Sequence, residues 1–265
     1  MTQIDQKEKL RRYSTTHPNC CSPSLADEDE EVGERQIPVG VIGSLHLGDF
    51  PHSIQIYPGK RILDLMGSIF LLAITWPVLL LAALAVKLTS RGPVFYRGVR
   101  AGLGGRPFHQ LKFRTMYCHG RGRAFTGRND PRVTPVGKIL RLTRIDELPQ
   151  LINVLRGEMS LVGPRPEDYS VVQRCYSREQ LRVLSVRPGL TGTVQVRSFP
   201  GLEFAIPEGE DPEAYYQRVI LPERLKEDLD YVDRMSLGLD VWIILQTAWC
   251  VLVRVWPYLF RRRTW

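Results

Sequence analysis

The sequence predicts a predominantly helical α+β fold seated on a membrane, and three observations carry that expectation. An uncharged run of 22 residues, 65–86, would form a helix of roughly 33 Å, enough to cross a bilayer core. Two short runs rich in Val, Phe and Leu flank a glycine cluster at Gly102, Gly104 and Gly105, the pattern of a small β-hairpin. Leu148, Leu151, Ile152 and Leu155 fall at i, i+3, i+4 and i+7, the period of a short amphipathic helix that ends at Gly157.

Composition sets the frame for these elements. With 265 residues, 43% of them hydrophobic, the chain can bury a sizeable core as one large or two small domains. Its formal charge of +8 is uneven, because five Lys/Arg and nine Asp/Glu precede Lys60 and the cationic excess lies beyond it. Residues 1–55 mix Ser, Thr and Pro with an acidic run at 27–31 and show little apolar periodicity, so they are expected to form a polar, mobile tail without chemistry. The five cysteines, Cys20, Cys21, Cys118, Cys175 and Cys250, are odd in number and lack paired metal-ligand spacing. A disulfide framework or zinc site is therefore not expected, and a reducing, cytosol-facing compartment is. The first dozen residues are polar and charged, unlike a secretory signal.

Residues 56–92 hold the membrane segment. Lys60 and Arg61 precede the apolar run while Lys87, Arg91, Arg97 and Arg100 follow it, so the positive-inside preference draws both ends to one face. Pro77 lies near the middle, where it removes a backbone donor and crowds the preceding turn. A re-entrant helix hairpin satisfies these features, and a spanning helix with a proline kink accounts for them about equally well. A buried soluble helix is the weakest alternative, being about twice the usual length.

Residues 93–236 are expected to carry the chemistry. Between Arg97 and Arg144 stand 12 Lys/Arg and one acid, Asp130, an excess that seeks an anion. Nucleic acid is disfavoured, for no reading helix or stacking module is apparent; lipid headgroups and a phosphorylated ligand remain. The glycine cluster lacks the Lys-Ser/Thr of a nucleotide-binding loop and is assigned to the turn. Asp146 and Glu147 then stand side by side where the amphipathic helix begins. On spacing alone, Asp146 is its N-cap and Glu147 complements the dipole in its first turn. A second reading draws on the surroundings: Arg141 and Arg144 lie upstream, and in SLVGPRPE the prolines Pro164 and Pro166 restrict the backbone around Arg165. Such a set suits a site for phosphate and a divalent metal together. Two more helices are expected near 212–221 and 222–234. In residues 237–265 the uncharged run 241–253 is too short to span, and with its Trp residues and the terminal Arg261, Arg262 and Arg263 it reads as an interfacial helix, or else as one packed on the preceding domain.

Five motifs occur in order across residues 60–253: KRILD, LKFRTM, DPRVTPVGKILR, DELPQLINVLRGEMSLVGPRPE and RPGLTGTVQV. Together they resemble the bacterial sugar transferases known as small monotopic phosphoglycosyl transferases. The resemblance implies a re-entrant membrane helix, a compact catalytic domain on the cytoplasmic face of the bacterial inner membrane, and interfacial amphipathic helices. It implies transfer of a phosphosugar from a UDP-sugar to polyprenyl phosphate with release of UMP, as a first membrane step of glycan assembly. By the same resemblance Asp146 is the nucleophile and Glu147 the Mg2+ ligand, Arg141 and Arg165 hold phosphate oxygens, and Lys112, Arg114 and Arg187 join the phosphate- or substrate-binding set. A helix N-terminus beneath Asp146 is expected to lower its pKa. The chain departs from the family pattern at Trp76, where a Ser usually precedes the break proline, and at Val194, where a Trp usually precedes the Gln. A different nucleotide-linked donor, and a membrane-anchored scaffold or lipid-binding protein that keeps the fold, stand as alternatives. The sequence specifies neither the sugar nor an oligomeric state.

Overall fold

A computed structural model describes residues 56–117, 130–198 and 211–255. The tail 1–55 with Cys20 and Cys21, the cations Arg121, Arg123 and Arg128, and the terminal Arg261, Arg262 and Arg263 lie outside the described residues.

The apolar run forms one helix, α1 (Lys60–Thr89), which begins after Gly59 in the left-handed region at φ 91° and stays helical across Pro77. At 30 residues it is about 45 Å long. Thr75, two residues before the proline, donates its hydroxyl to the Leu71 carbonyl at 2.7 Å, a back-bond that favours bending. Much of the helix is bare: Ile62, Met66, Ile69, Phe70, Ile74, Trp76, Leu80, Leu81, Leu84 and Leu88 are all exposed.

The first turn of α1 is welded to the rest of the molecule. Lys60 donates to the Val162 carbonyl at 2.7 Å and pairs with Asp240, which also accepts from Tyr57 at 2.6 Å and Tyr231 at 2.7 Å. Arg61 donates to the carbonyls of Val154 at 2.7 Å and Leu155 at 2.9 Å, and Asp64 accepts from the Ser160 hydroxyl at 2.8 Å and the Leu161 N–H at 2.9 Å. Lys60 and Arg61, expected as flanking charges that orient the helix, thus spend their donors inside the protein. The charged residues of KRILD are a docking motif.

After α1 come β1 (Phe95–Ala101) and β2 (Pro107–Phe113), antiparallel in the register Phe95 to Phe113 and Ala101 to Pro107. Gly104 and Gly105 turn between them at φ 65° and 71°, where a side chain would be strained. The expected hairpin is present. Helix α2 (Pro135–Thr143) is capped by Thr134, whose hydroxyl accepts the Gly137 N–H at 2.8 Å. A tight turn then leads into α3 (Gln150–Arg156).

A second sheet was not legible. β3 (Ser160–Val162) and β4 (Gly189–Thr191) pair in parallel, so that SLVGPRP and RPGLTG lie side by side. A Cβ on Gly189, the first residue of β4, would stand 2.1 Å from the nitrogen of Gly163, which follows β3, so this close approach of the two segments requires glycine. Strands of three residues carry no periodicity, and their pairing spans the intervening α4 (Tyr169–Cys175). After α5 (Thr193–Arg197), the two helices expected near 212–234 are one run: α6 (Pro212–Tyr215), a π-helical turn (Tyr216–Ile220) and α7 (Leu221–Arg234).

The last helix, α8 (Leu237–Cys250), packs on the preceding domain, the second of the two alternatives for it. Asp240, Ile243 and Cys250 are buried, and Ile243 lies in a core shared with Leu151, Val154, Met159, Val162, Tyr231 and Val232. Leu237, Val241, Trp242, Leu245 and Trp249 face outward. Another core joins the far end of α1, through Ala82 and Val86, to Phe113 and Leu140. A third gathers α4, α7 and the residues between them around Val172, Leu184 and Leu225.

Candidate active site

The site grows from the turn between α2 and α3. Arg144 ends α2 at φ 58° and ψ 14°, the one non-glycine with positive φ among the described residues, at a cost of about 1 kcal/mol. That reversal starts a 3-10 turn, Ile145–Glu147. Ile145 packs toward the Ala82 and Leu140 core, while Asp146 is buried.

The helix-cap reading of the acidic pair is corrected here. α3 begins only at Gln150, its N-cap position is Pro149, and no side chain caps either the 3-10 turn or the helix. Pro149 has no N–H to offer, and the 3-10 winding leaves Asp146 short of the α-helical end. Its Oδ1 is buried and has no hydrogen-bond partner. The expected fall in its pKa is also reversed: burial first, and then the charge of Glu147, push Asp146 up to about 7, with Lys112, Arg144 and Arg141 only partly opposing them.

Glu147 goes the other way. Its Oε1 accepts from Lys112 Nζ at 2.9 Å and lies 3.3 Å from Arg144 Nη1. Burial works to raise its pKa, yet Lys112, Arg144 and Arg165 together hold the carboxyl well below the usual range. Lys112 is in turn lowered, by burial first and by Arg165 and Arg100 beside it, against the pull of the two acids. Two neighbouring carboxyls with pKa values pushed apart form the pattern in which one holds a fixed charge and the other can exchange its proton.

Of the residues the sequence singled out, Lys112, Arg141 and Arg165 converge electrostatically on the pair. Arg141 is steadied by its Nε–H bond to Thr115 Oγ1 at 2.9 Å. Arg114 points elsewhere, donating to the Ser90 carbonyl at 2.7 Å and the Ser90 hydroxyl at 2.8 Å at the end of α1. Arg187 donates to the Gly157 carbonyl at 2.8 Å, beyond the opposite end of α3 from Asp146. Pro77 stands within α1, away from the pair in the chain.

The structure adds residues that the sequence reading left without a role. Arg144 was counted only as an upstream cation. Glu167, the last residue of SLVGPRPE, is buried against Arg224, whose Nη1 lies 2.6 Å from its Oε2, and it also takes the Tyr216 hydroxyl. Asp228, one helical turn after Arg224, accepts the Arg165 backbone N–H and is itself pushed up to about 7, chiefly by burial. These groups brace the loop that presents Arg165. Their only sequence signal is a string of charges on a helix, which is usually a solvated face.

No cluster of three metal-ligating side chains occurs among the described residues. Glu147, held ionised beside the unpartnered Asp146 oxygen, instead fits a Mg2+ ion shared with a ligand's phosphates, since that ion commonly takes one or two carboxylates and leaves its other positions to phosphate and water.

A carboxylate pair with split pKa values, walled by cations, lies in the same unit as a long apolar helix with an exposed face, an arrangement chemically suited to a phosphorylated ligand. The sequence model described as bacterial sugar transferase matches residues 55–254, and the chain belongs to that family. It is 45% identical over 193 residues to the UDP-glucose:undecaprenyl-phosphate glucose-1-phosphate transferase of Caulobacter vibrioides, covering 71% of this chain and 68% of the relative. The protein of the same description from Xanthomonas campestris pv. campestris is 40% identical over 229 residues, 84% of this chain but 44% of that protein. The exopolysaccharide production protein PSS of Rhizobium leguminosarum bv. phaseoli is 37% identical over 203 residues, 74% of this chain and 96% of its own length. The chain thus spans less than half of the longer Xanthomonas relative and nearly all of the Rhizobium one.

Proposed function

We propose that the protein transfers a phosphosugar from a UDP-sugar to a polyprenyl phosphate through a covalent intermediate on Asp146. One observation carries the reading: Asp146 Oδ1 is buried, unpartnered and ringed by Lys112, Arg141, Arg144 and Glu147. An unsatisfied buried acceptor costs about 1–3 kcal/mol, a cost explained if a ligand atom completes it.

In the first step a carboxylate oxygen of Asp146 attacks the phosphorus nearer the sugar, the bond from that phosphorus to the bridging oxygen breaks, and UMP leaves with the electron pair. In the second step an oxygen of the polyprenyl phosphate attacks the same phosphorus and the Asp146 carboxylate departs. Lys112, Arg141 and Arg165 orient the diphosphate and offset its charge. Glu147, kept ionised by its cations, would hold Mg2+, which when bound polarises the phosphoryl oxygens. Splitting the reaction lets a soluble donor and a lipid acceptor use one site in turn.

The membrane reading follows from packing. α1 is the one helix among the described residues long and apolar enough to cross a bilayer. Its first turn is bonded to β3 and α8, and its last turns pack on Phe113 and Leu140 of the same catalytic unit. A helix that crossed the bilayer would separate those ends by about 30 Å of hydrocarbon. This favours a re-entrant α1 on the cytoplasmic face of the inner membrane, with the outer side of α8 in the interface.

The test is UMP release by the full chain in lipid nanodiscs with Mg2+, polyprenyl phosphate and a panel of UDP-sugars. UDP-glucose comes first, as the donor named for two of the relatives. Acceptor-dependent release that Asp146→Asn abolishes is the expected result. Release that survives in that variant would assign the nucleophile elsewhere, and silence across the panel would favour another donor or a non-enzymatic membrane protein.

A further inference from the structure

We propose that Asn153 is a positioning residue: its side-chain amide sets the register of β2 against α3 and thereby holds Lys112 on Glu147. β2 spends one edge on β1, and its other edge would be left open. Asn153 closes it. Its Oδ1 accepts the Leu111 N–H at 3.0 Å while its Nδ2 donates to the His109 carbonyl at 2.8 Å. A primary amide offering one acceptor and one donor to residues two apart stands in for the peptide of a neighbouring strand.

The orientation of that amide is itself held, because Nδ2 also donates to Glu158 Oε2 at 2.6 Å. Asn153 is completely buried. Gln110 and Lys112, alternate residues of β2, share one face of the strand. Gln110 Nε2 donates to Gln150 Oε1 at 3.0 Å, and Lys112 Nζ to Glu147 Oε1 at 2.9 Å. Two strand residues are thus matched to Glu147 in the 3-10 turn and Gln150 at the start of α3, with Asn153 one turn further on. A two-stranded hairpin has little stability of its own, so its alignment with α3 depends on such external bonds. Asn153 touches neither substrate nor the reacting atoms in this scheme and acts through Lys112.

The experiment compares wild type and Asn153→Ala as full chains in nanodiscs by competitive acylation of lysines with a water-soluble reagent, quantified by mass spectrometry. Exposed Lys138 is the internal reference, and Lys60, buried at the start of α1, reports loosening of the whole fold. Acylation of Lys112 relative to Lys138 is expected to rise about tenfold with Lys60 unchanged, and kcat to fall about tenfold with the donor KM within about twofold, the usual scale for a residue that orients a ligand-binding group. Lys112 remaining protected, Lys112 and Lys60 rising together, or kcat holding while Lys112 is released would each overturn the proposal. Asn153→Asp keeps an acceptor for Leu111 but loses the donor to His109, and it decides the matter on the same criteria if the alanine variant fails to fold. The turnover readout rests on the proposed transferase activity; the acylation readout does not, so failure of one is distinguishable from failure of the other.

Discussion

At the scale of single residues, the molecule keeps ionisable groups in places where burial alone would neutralise them. Asp146 and Asp228 are both pushed up to about 7, chiefly by burial, although cations stand beside each. For Asp228 the consequence can be measured apart from turnover. A carboxyl whose folded pKa lies above its unfolded value adds stability that is fully present below the unfolded pKa, near 4, and is lost as pH rises through about 7. Asp228→Asn retains an oxygen for the Arg165 N–H but has no such titration. The variant is therefore expected to gain stability relative to wild type between pH 5 and pH 8, read from thermal unfolding midpoints at the two values; a pH-independent difference would refute the assignment. The same reasoning exposes what the sequence could not reveal about Asp146. Its place in the chain suggested a helix cap, and only the 3-10 winding before Pro149, with the body of the protein around it, leaves its Oδ1 without a donor.

At the scale of elements, α1 is anchored by charge. Lys60 pairs with Asp240 where both are buried, and both are also bonded to Tyr231, so removing one partner strands the other in the interior. Lys60→Ala is expected to destabilise the fold by about 3 kcal/mol, measurable in a chemical unfolding titration. A loss below about 1 kcal/mol, the level of a surface ion pair, would contradict the docking role. The elements also differ in how far their sequences announce them. The hairpin and α3 were visible because turn glycines and apolar spacing act over a few residues. β3 and β4 were hidden, since each needs the other and they meet only after the chain returns through α4. Pro77 withholds one backbone donor but does not end α1, which remains helical through it.

At the scale of the whole molecule, both ends of α1 belong to one packed unit, and its exposed apolar side together with that of α8 faces away from it. In a cysteine-free background, single cysteines replacing Ile56 and Lys138 are expected to be labelled by a membrane-impermeant reagent from the same side of sealed vesicles. Labelling from opposite sides would establish a spanning α1. The sequence by itself determined the long apolar helix, the hairpin, α3 and the cation-rich surroundings of Asp146 and Glu147, because helical period, turn chemistry and charge density are local properties of the chain. Tertiary structure alone decided which cations reach the pair. It turned Arg114 to Ser90 and Arg187 to Gly157, brought Lys112 to Glu147 through the register of β2 on α3, and braced Arg165 from α7. The physical reason is that a buried charge is fixed by the partner that can satisfy it, and those partners are supplied by segments distant in the chain.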